Sequence, residues 1–103
     1  MNFFPIDFLD KLHDGYQKAV SIKGRELLLI QEKGSHYILE NICPHAGYPM
    51  VNGKIIEGQI RCPMHGYLFS LVNGACTFVT EGPCRGLHTY QPVIRDNQIG
   101  LML

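Results

Sequence analysis

The chain has 103 residues, of which 46% are hydrophobic and 17% charged, and its 9 basic and 9 acidic side chains give a formal net charge of zero. This length suits a single domain over residues 1–103 and excludes most multidomain enzymes. The composition excludes an intrinsically disordered chain, and the absence of a basic excess argues against a nucleic-acid partner.

The first half of the chain is predicted to begin with a helical turn and to continue as β-strands. The turn covers residues 7–14, and Gly15 ends it. Three strands follow, at residues 17–22, 25–31 and 35–40. Short turns at Lys23-Gly24 and Glu32-Lys33-Gly34 join them, so we expect an antiparallel meander.

The second half also shows strand patterns, after a loop rich in glycine and proline. The predicted strands cover residues 54–56, 59–61, 68–71, 88–95 and 98–102. Turn signals separate them at Glu57-Gly58, Asn73-Gly74 and Asp96-Asn97. Pro92 places the strand over residues 88–95 near a sheet edge. The fold class predicted is therefore all-β.

Nothing in the sequence predicts a membrane segment or a secretory signal. The longest aliphatic run, Leu27 to Ile30, has four residues, against about 20 for a membrane-spanning helix. The N-terminal residues lack a basic region and a long apolar stretch. We therefore expect a cytoplasmic protein without a membrane partner, in which cysteines serve as metal ligands or buried apolar residues rather than as a disulfide framework.

Cysteine and histidine are paired twice in the central segment. Cys43-Pro44-His45 is followed by sixteen residues and then by Cys62-Pro63-Met64-His65-Gly66. Each motif offers one thiolate and one imidazole in a loop after a predicted strand. Two loops of similar build predict one shared metal site with Cys43, His45, Cys62 and His65 as ligands.

The order of the ligands bears on the metal. Zinc binds two cysteines and two histidines readily, but zinc fingers place the cysteines in one pair and the histidines in the other. Here each pair is mixed, which suits a 2Fe-2S cluster with both thiolates on one iron and both imidazoles on the other, as in a Rieske centre. A zinc-stabilised binding module and an accidental cluster of packed or solvated side chains are the alternatives.

With these motifs the sequence resembles the Rieske ferredoxins that serve bacterial aromatic-ring dioxygenases. The resemblance covers nearly the whole chain and is strongest over residues 41–74, where Met50 and Phe69 also occupy expected positions. It implies a Rieske-type fold of antiparallel sheets with a small cluster-binding portion at about residues 41–71. It also implies one cluster per chain, with two cysteines on the inner iron and two histidines on the outer iron.

The chain departs from the respiratory branch of that family in two ways. The respiratory branch has an extra cysteine in each loop, forming a disulfide, whereas this chain has Tyr48 and Met64 there. It also carries a serine and a tyrosine that donate to sulfur, where this chain has Tyr67 and Phe69. Fewer donors predict a reduction potential near the low end of the Rieske range of about −150 to +300 mV.

Several further residues carry expectations about the cluster loops. We expect Gly47 and Gly66 to take positive φ, so that amides in residues 45–48 and 65–67 can donate to the cluster sulfurs. The segment 80–83 resembles the proline-bearing loop that covers the third side of the cluster in the family. Cys76 and Cys84 match no ligand position, and we interpret each as a buried, inert thiol, with a bond between the two as the alternative.

The resemblance implies a one-electron carrier that passes electrons from a flavin-dependent reductase to a terminal oxygenase. Docking would be transient, at the cluster end of a monomer. The sequence contains no catalytic residues of its own: neither paired carboxylates, a nucleophile beside a base, nor a phosphate loop. The alternative is a Rieske-like small subunit or accessory domain of a larger oxidoreductase, such as a nitrite reductase.

Overall fold

A computed structural model describes residues 1–44, 47–64, 66–79 and 84–103 of the protein, and these form almost entirely antiparallel β-structure. The strands are β1 (Phe3–Phe8), β2 (Gln17–Ile22), β3 (Arg25–Glu32), β4 (Ser35–Glu40), β5 (Ile55–Ile56), β6 (Gln59–Arg61), β7 (Leu68–Ser70), β8 (Cys76–Phe78), β9 (Thr89–Tyr90), β10 (Val93–Arg95) and β11 (Gln98–Met102). One 3-10 helix, Leu9–Lys11, follows β1. The all-β prediction is confirmed.

The strands form three sheets. The first has the order β1-β11-β10, the second β2-β3-β4-β9 and the third β5-β6-β7-β8. The predicted meander is therefore the larger part of the second sheet. Its turns place Lys23-Gly24 and Lys33-Gly34 at positive φ, from 50° to 78°, as two-residue hairpin turns with this twist require.

Strand β3 separates two hydrophobic cores. Leu27 and Leu29 face the core shared with the first sheet, whereas Leu28 and Ile30 face the core shared with the third sheet. All four side chains have 0% exposure. Because alternate residues of a strand point to opposite faces, an uninterrupted aliphatic run is what a strand buried on both faces needs.

The two ends of the chain differ from the sequence prediction. The helical turn predicted for residues 7–14 is only the 3-10 helix, because residues up to Phe8 continue β1 and pair with β11. The strand predicted for residues 88–95 is two strands: β9 pairs with β4, and β10 pairs with β11. Pro92 separates them and cannot donate a backbone hydrogen bond. Strands β1 and β8 were not predicted.

No helix among the described residues has the length and apolarity needed to cross a membrane.

Candidate metal centre

The two motif cysteines converge on one core from different strands. Cys43 lies three residues beyond the end of β4, and Cys62 directly follows β6. Their exposures are 0% and 1%, and both belong to the core between the second and third sheets. Both cysteine side chains therefore pack in the same core, and their assignment as ligands of one site stays a prediction. His45 and His65 lie outside the described residues.

The two cysteine loops are closed by the same pair of backbone hydrogen bonds. In the first, Cys43 N–H donates to the Tyr48 carbonyl at 2.7 Å, and Gly47 N–H donates to the Cys43 carbonyl at 2.8 Å. In the second, Cys62 N–H donates to Tyr67 at 2.8 Å, and Gly66 N–H donates to Cys62 at 3.1 Å. Each cysteine thus begins a loop that is closed by equivalent backbone hydrogen bonds.

The glycines of these loops have the predicted backbone conformation. Gly47 has φ +68° and Gly66 has φ +75°. Residues that carry a β-carbon enter this region of backbone conformation only at an energetic cost. The amides of the two glycines already donate to the cysteine carbonyls. The expectation that amides of residues 45–48 and 65–67 donate to the cluster sulfurs stays a prediction, and residues 45, 46 and 65 lie outside the described residues.

A buried asparagine holds the first loop in place. The Asn41 side-chain oxygen accepts hydrogen bonds from the Met50 and Val51 amides, both at 2.9 Å, while its own backbone N–H donates to Glu26 at 2.8 Å. Asn41 is 7% exposed. It joins the start of the loop to its return and so fixes where Cys43 stands. In the sequence its only signal is a polar residue two positions before Cys43, and no role was predicted for it.

Replacing Asn41 with alanine is expected to destabilise the protein by about 1–3 kcal/mol, because the buried Met50 amide loses its acceptor. Asn41→Asp keeps an oxygen at that position and is expected to retain most of the stability. Urea unfolding followed by visible absorbance and by circular dichroism measures both. Equal losses in the two variants would contradict the role of the side-chain oxygen.

A second set of hydrogen bonds joins β4, the strand before Cys43, to the segment that contains Cys84. The Arg85 guanidinium donates two hydrogen bonds to the Glu40 carboxylate, both at 2.9 Å, and the His88 amide donates a third at 3.1 Å. The hydrogen bonds from Arg85, together with the smaller effect of the His88 amide, hold the pKa of Glu40 below its ordinary value of 4.5. The ion pair therefore ties residues 84–88 to the base of the first loop.

Because the pKa of Glu40 is lowered by folding, its ion pair stabilises the protein fully above pH 4.5, and this contribution is lost as the pH falls through the folded-state pKa. We expect wild type to exceed Glu40→Gln in apparent melting temperature at pH 7, and the difference to shrink below pH 4.5. Thermal melts from pH 7 to about pH 3 test this. Glu26→Gln changes an exposed carboxylate and serves as the control. A difference in melting temperature between wild type and Glu40→Gln that does not change with pH would contradict the stabilising role of the Glu40 ion pair.

The aromatic and apolar residues around the loops fall into two groups. Met50, Tyr67 and Phe69 are fully buried in the core, whereas Tyr48 is 45% and Met64 is 52% exposed. The buried group packs behind the cysteines. The exposed pair stands at the positions where the respiratory branch has its disulfide, so no cysteine pair clamps these loops.

The two cysteines outside the ligand set are partly exposed. Cys76 and Cys84 pack against the core that contains Cys43 and Cys62. The prediction that each is a buried thiol is therefore wrong.

The residues present fit the inner half of a mixed-ligand cluster. Two buried thiols, each at the start of an equivalent loop, are a suitable donor set for one iron held away from water. Among residues 1–44, 47–64, 66–79 and 84–103, no group of three or more metal-binding side chains is assembled. A site complete with these residues alone, such as a four-ligand zinc site, is therefore not present in the described part of the chain.

A family model described as Rieske [2Fe-2S] domain matches residues 2–91 of the chain. The chain belongs to this family. Its cofactor is accordingly a Rieske-type 2Fe-2S cluster, which confirms the cofactor predicted from the mixed order of cysteine and histidine in the two motifs.

Comparison with known proteins gives ferredoxins of similar length. The Rieske chain is 27% identical over 104 residues to the ferredoxin component of the naphthalene 1,2-dioxygenase/salicylate 5-hydroxylase systems of Ralstonia sp., covering 99% of this chain and 96% of that protein. It superposes on the ferredoxin of carbazole 1,9a-dioxygenase from Nocardioides aromaticivorans IC177 with a TM-score of 0.84 at 27% identity, covering 98% and 97% of the two chains.

The same domain also occurs within much longer proteins. The chain is 35% identical to apoptosis-inducing factor 3 of Mus musculus over 63 residues. This alignment covers 61% of this chain but only 10% of that protein. The chain therefore spans about a tenth of the length of that relative. Similarity to such a protein concerns the Rieske domain alone.

Proposed function

We propose that this Rieske protein is a one-electron carrier that takes electrons from a flavin-dependent reductase and delivers them to a terminal oxygenase. The observation that carries the proposal is the pair of equivalent cysteine loops on a fold shared, over nearly the full length of both chains, with dioxygenase ferredoxin components. We assign the chain no catalytic residue, and in this proposal the oxygenase performs the bond-making chemistry.

The proposed cluster ligands are Cys43 and Cys62 on the inner iron and His45 and His65 on the outer iron. When bound, such a cluster accepts and releases a single electron. The buried thiols support the assignment of the inner iron, because thiolates held away from water suit a site that must exclude competing ligands. We place the cluster-binding portion at about residues 41–71 of one domain over residues 1–103.

The surface beside the loops suits a transient protein partner. Tyr48 and Met64 are exposed there, and Ile56, Leu68 and Phe78 line a groove with Gly66 and Arg61. Among the described residues, Arg61 forms no ion pair. An apolar surface that carries the Arg61 guanidinium would accept a carboxylate at the edge of a docked partner, and electrostatic steering of this kind favours fast association. We propose that this surface beside the cysteine loops docks both the reductase and the oxygenase. We also propose that the carrier is a cytoplasmic monomer.

The alternative is an accessory domain or small subunit of a larger oxidoreductase. The observation favouring it is that the same domain makes up a tenth of a longer relative. Both alternatives use the cluster for electron transfer, but they differ in whether the chain dissociates from its partner. Gel filtration of the protein from its native host separates them, because a carrier elutes alone and a subunit elutes with a larger complex.

Electron transfer itself is tested by stopped-flow mixing without oxygen. The dithionite-reduced protein is mixed with the oxidised oxygenase component of a naphthalene dioxygenase system, and visible absorbance reports reoxidation. We expect reoxidation faster than in buffer, with a rate that rises with oxygenase concentration and falls with added salt. A rate independent of the oxygenase would contradict the carrier role, provided that low-temperature EPR shows a reduced cluster with an average g value below that of the free electron.

A further inference from the structure

A short segment of the chain, residues 50–54, connects the two cysteine loops, and we call it the linking segment. At its first residue, the Met50 amide donates to the Asn41 side chain of the first loop at 2.9 Å. At its last residue, the Lys54 carbonyl accepts a hydrogen bond at 2.9 Å from the N–H of Arg61, which directly precedes the cysteine of the second loop. The position of the linking segment therefore affects both loops.

The linking segment packs directly against β6. A β-carbon added at Gly53 would lie 2.5 Å from the Arg61 carbonyl oxygen and 2.9 Å from the Met50 carbonyl oxygen, whereas real β-carbons essentially never come within 3.0 Å of such an atom. Only glycine lets the two backbones approach this closely. The residue before it, Asn52, has φ +70°, which residues with a β-carbon rarely adopt. This turn therefore needs contacts that keep it in place.

A side chain from outside both loops supplies such contacts. The Gln17 amide nitrogen donates to the Gly53 carbonyl at 2.9 Å, and the Gln17 amide oxygen accepts a hydrogen bond from the Asn52 N–H at 2.8 Å. Because one amide bonds two consecutive residues, it fixes both the position and the orientation of the turn. Gln17 begins β2 and pairs with Ile30 of β3, whose side chain is fully buried. The turn is thus attached to the second sheet.

We propose that Gln17 is a positioning residue for the cluster, because through the linking segment it fixes one cysteine loop relative to the other. This inference rests on the proposed ligands Cys43 and Cys62. Residues that orient metal ligands from outside the ligand set commonly change metal affinity by about 10–100-fold when they are replaced. Without the two hydrogen bonds from Gln17, the turn can shift on β6, the two loops can separate, and iron is released faster.

The test compares two glutamines of the second sheet. Gln17→Met keeps the length of the side chain and removes both hydrogen bonds to the linking segment. Gln31→Met is the matched control: the Gln31 amide nitrogen donates to the Asp14 carboxylate at 3.1 Å, and its oxygen lies 3.1 Å from His36 Nε2. It therefore also loses two side-chain contacts, but neither is to a cysteine loop or to the linking segment.

Release of the cluster is measured by mixing each cluster-loaded protein with excess EDTA, well below its melting temperature, and following the visible absorbance. We expect Gln17→Met to lose its cluster about tenfold faster than the wild type, and Gln31→Met to lose it at the wild-type rate. The EPR lines of reduced Gln17→Met should also be broader than those of the other two proteins, because less constrained loops hold the ligands in a wider range of geometries.

Three results would overturn the proposal. A wild-type release rate in Gln17→Met would show that the linking segment does not need Gln17, and equal acceleration in both variants would reflect only a weakened second sheet. Unchanged EPR line widths in Gln17→Met would show that the ligand geometry does not depend on Gln17. Neither measurement uses a reductase or an oxygenase, so failure of the carrier role leaves both results unaffected. An error in the ligand assignment would appear separately, as iron retained in Cys43→Ser.

Discussion

Replacing Cys43 with serine is expected to reduce the iron bound from two atoms per chain to near zero. Cys43 begins the first of two equivalent loops in a fully buried position, and the proposed inner iron would keep only the Cys62 thiolate. A hydroxyl is a much weaker ligand for this iron than a thiolate. Because cluster binding contributes to the stability of the folded state, the variant should also melt at a lower temperature.

Cys76→Ser is the control for this experiment, since it removes a thiol from the same core but outside the ligand set. It should retain two irons and two acid-labile sulfides per chain and the EPR signal of the wild type. Iron, sulfide and EPR are measured on the same samples. Full iron content in Cys43→Ser, or equal loss in both variants, would show that the ligands are assigned incorrectly.

Replacing Gly66 with valine is expected to cause the next largest loss of cluster. Gly66 has φ +75°, where a residue with a β-carbon costs about 1–2 kcal/mol and a β-branched one more. A β-carbon there would also lie 3.1 Å from the Arg61 guanidinium. Relief of the strain would disrupt the hydrogen bond from Gly66 to the Cys62 carbonyl, so the second loop would open and cluster occupancy would fall.

Gly24→Val provides the comparison. Gly24 has the same φ of +75°, with no atom within 4 Å of an added β-carbon, and it lies in the hairpin between β2 and β3, away from the cluster loops. The two variants should show similar backbone strain, but Gly24→Val should keep its iron. Iron per folded chain is measured after purification under the same conditions. Unchanged occupancy in Gly66→Val would mean that loop closure does not depend on this conformation.

Local signals in the sequence were enough to predict the hairpins. Strands β2, β4, β6 and β11 have the predicted bounds, because alternating apolar residues and turns such as Lys23-Gly24 act over only a few neighbours. Paired Cys-x-His and Cys-x-x-His spacing predicted the cofactor for the same reason, since each motif lies within one loop. Positive φ at Gly47 and Gly66 followed from the demands of tight loops.

Contacts between residues that are far apart in the sequence could not be predicted from these local signals. The strand predicted over residues 88–95 is divided between two sheets, because its two halves pair with β4 and with β11. The Asn41 hydrogen bonds to the return of the loop and the Glu40–Arg85 ion pair likewise join segments that are separate in the sequence. Each depends on which strands pair and which core a side chain enters.

The sequence by itself therefore determined the family, the cofactor and the positive φ of Gly47 and Gly66, because spacing and turn chemistry are short-range properties. Only the tertiary structure decided which residues hold those loops together. The roles of Asn41 and Glu40 became visible only when Asn41 was seen to bond Met50 and Glu40 was seen to bond Arg85. The burial and hydrogen bonding of a polar side chain are set by its neighbours in space.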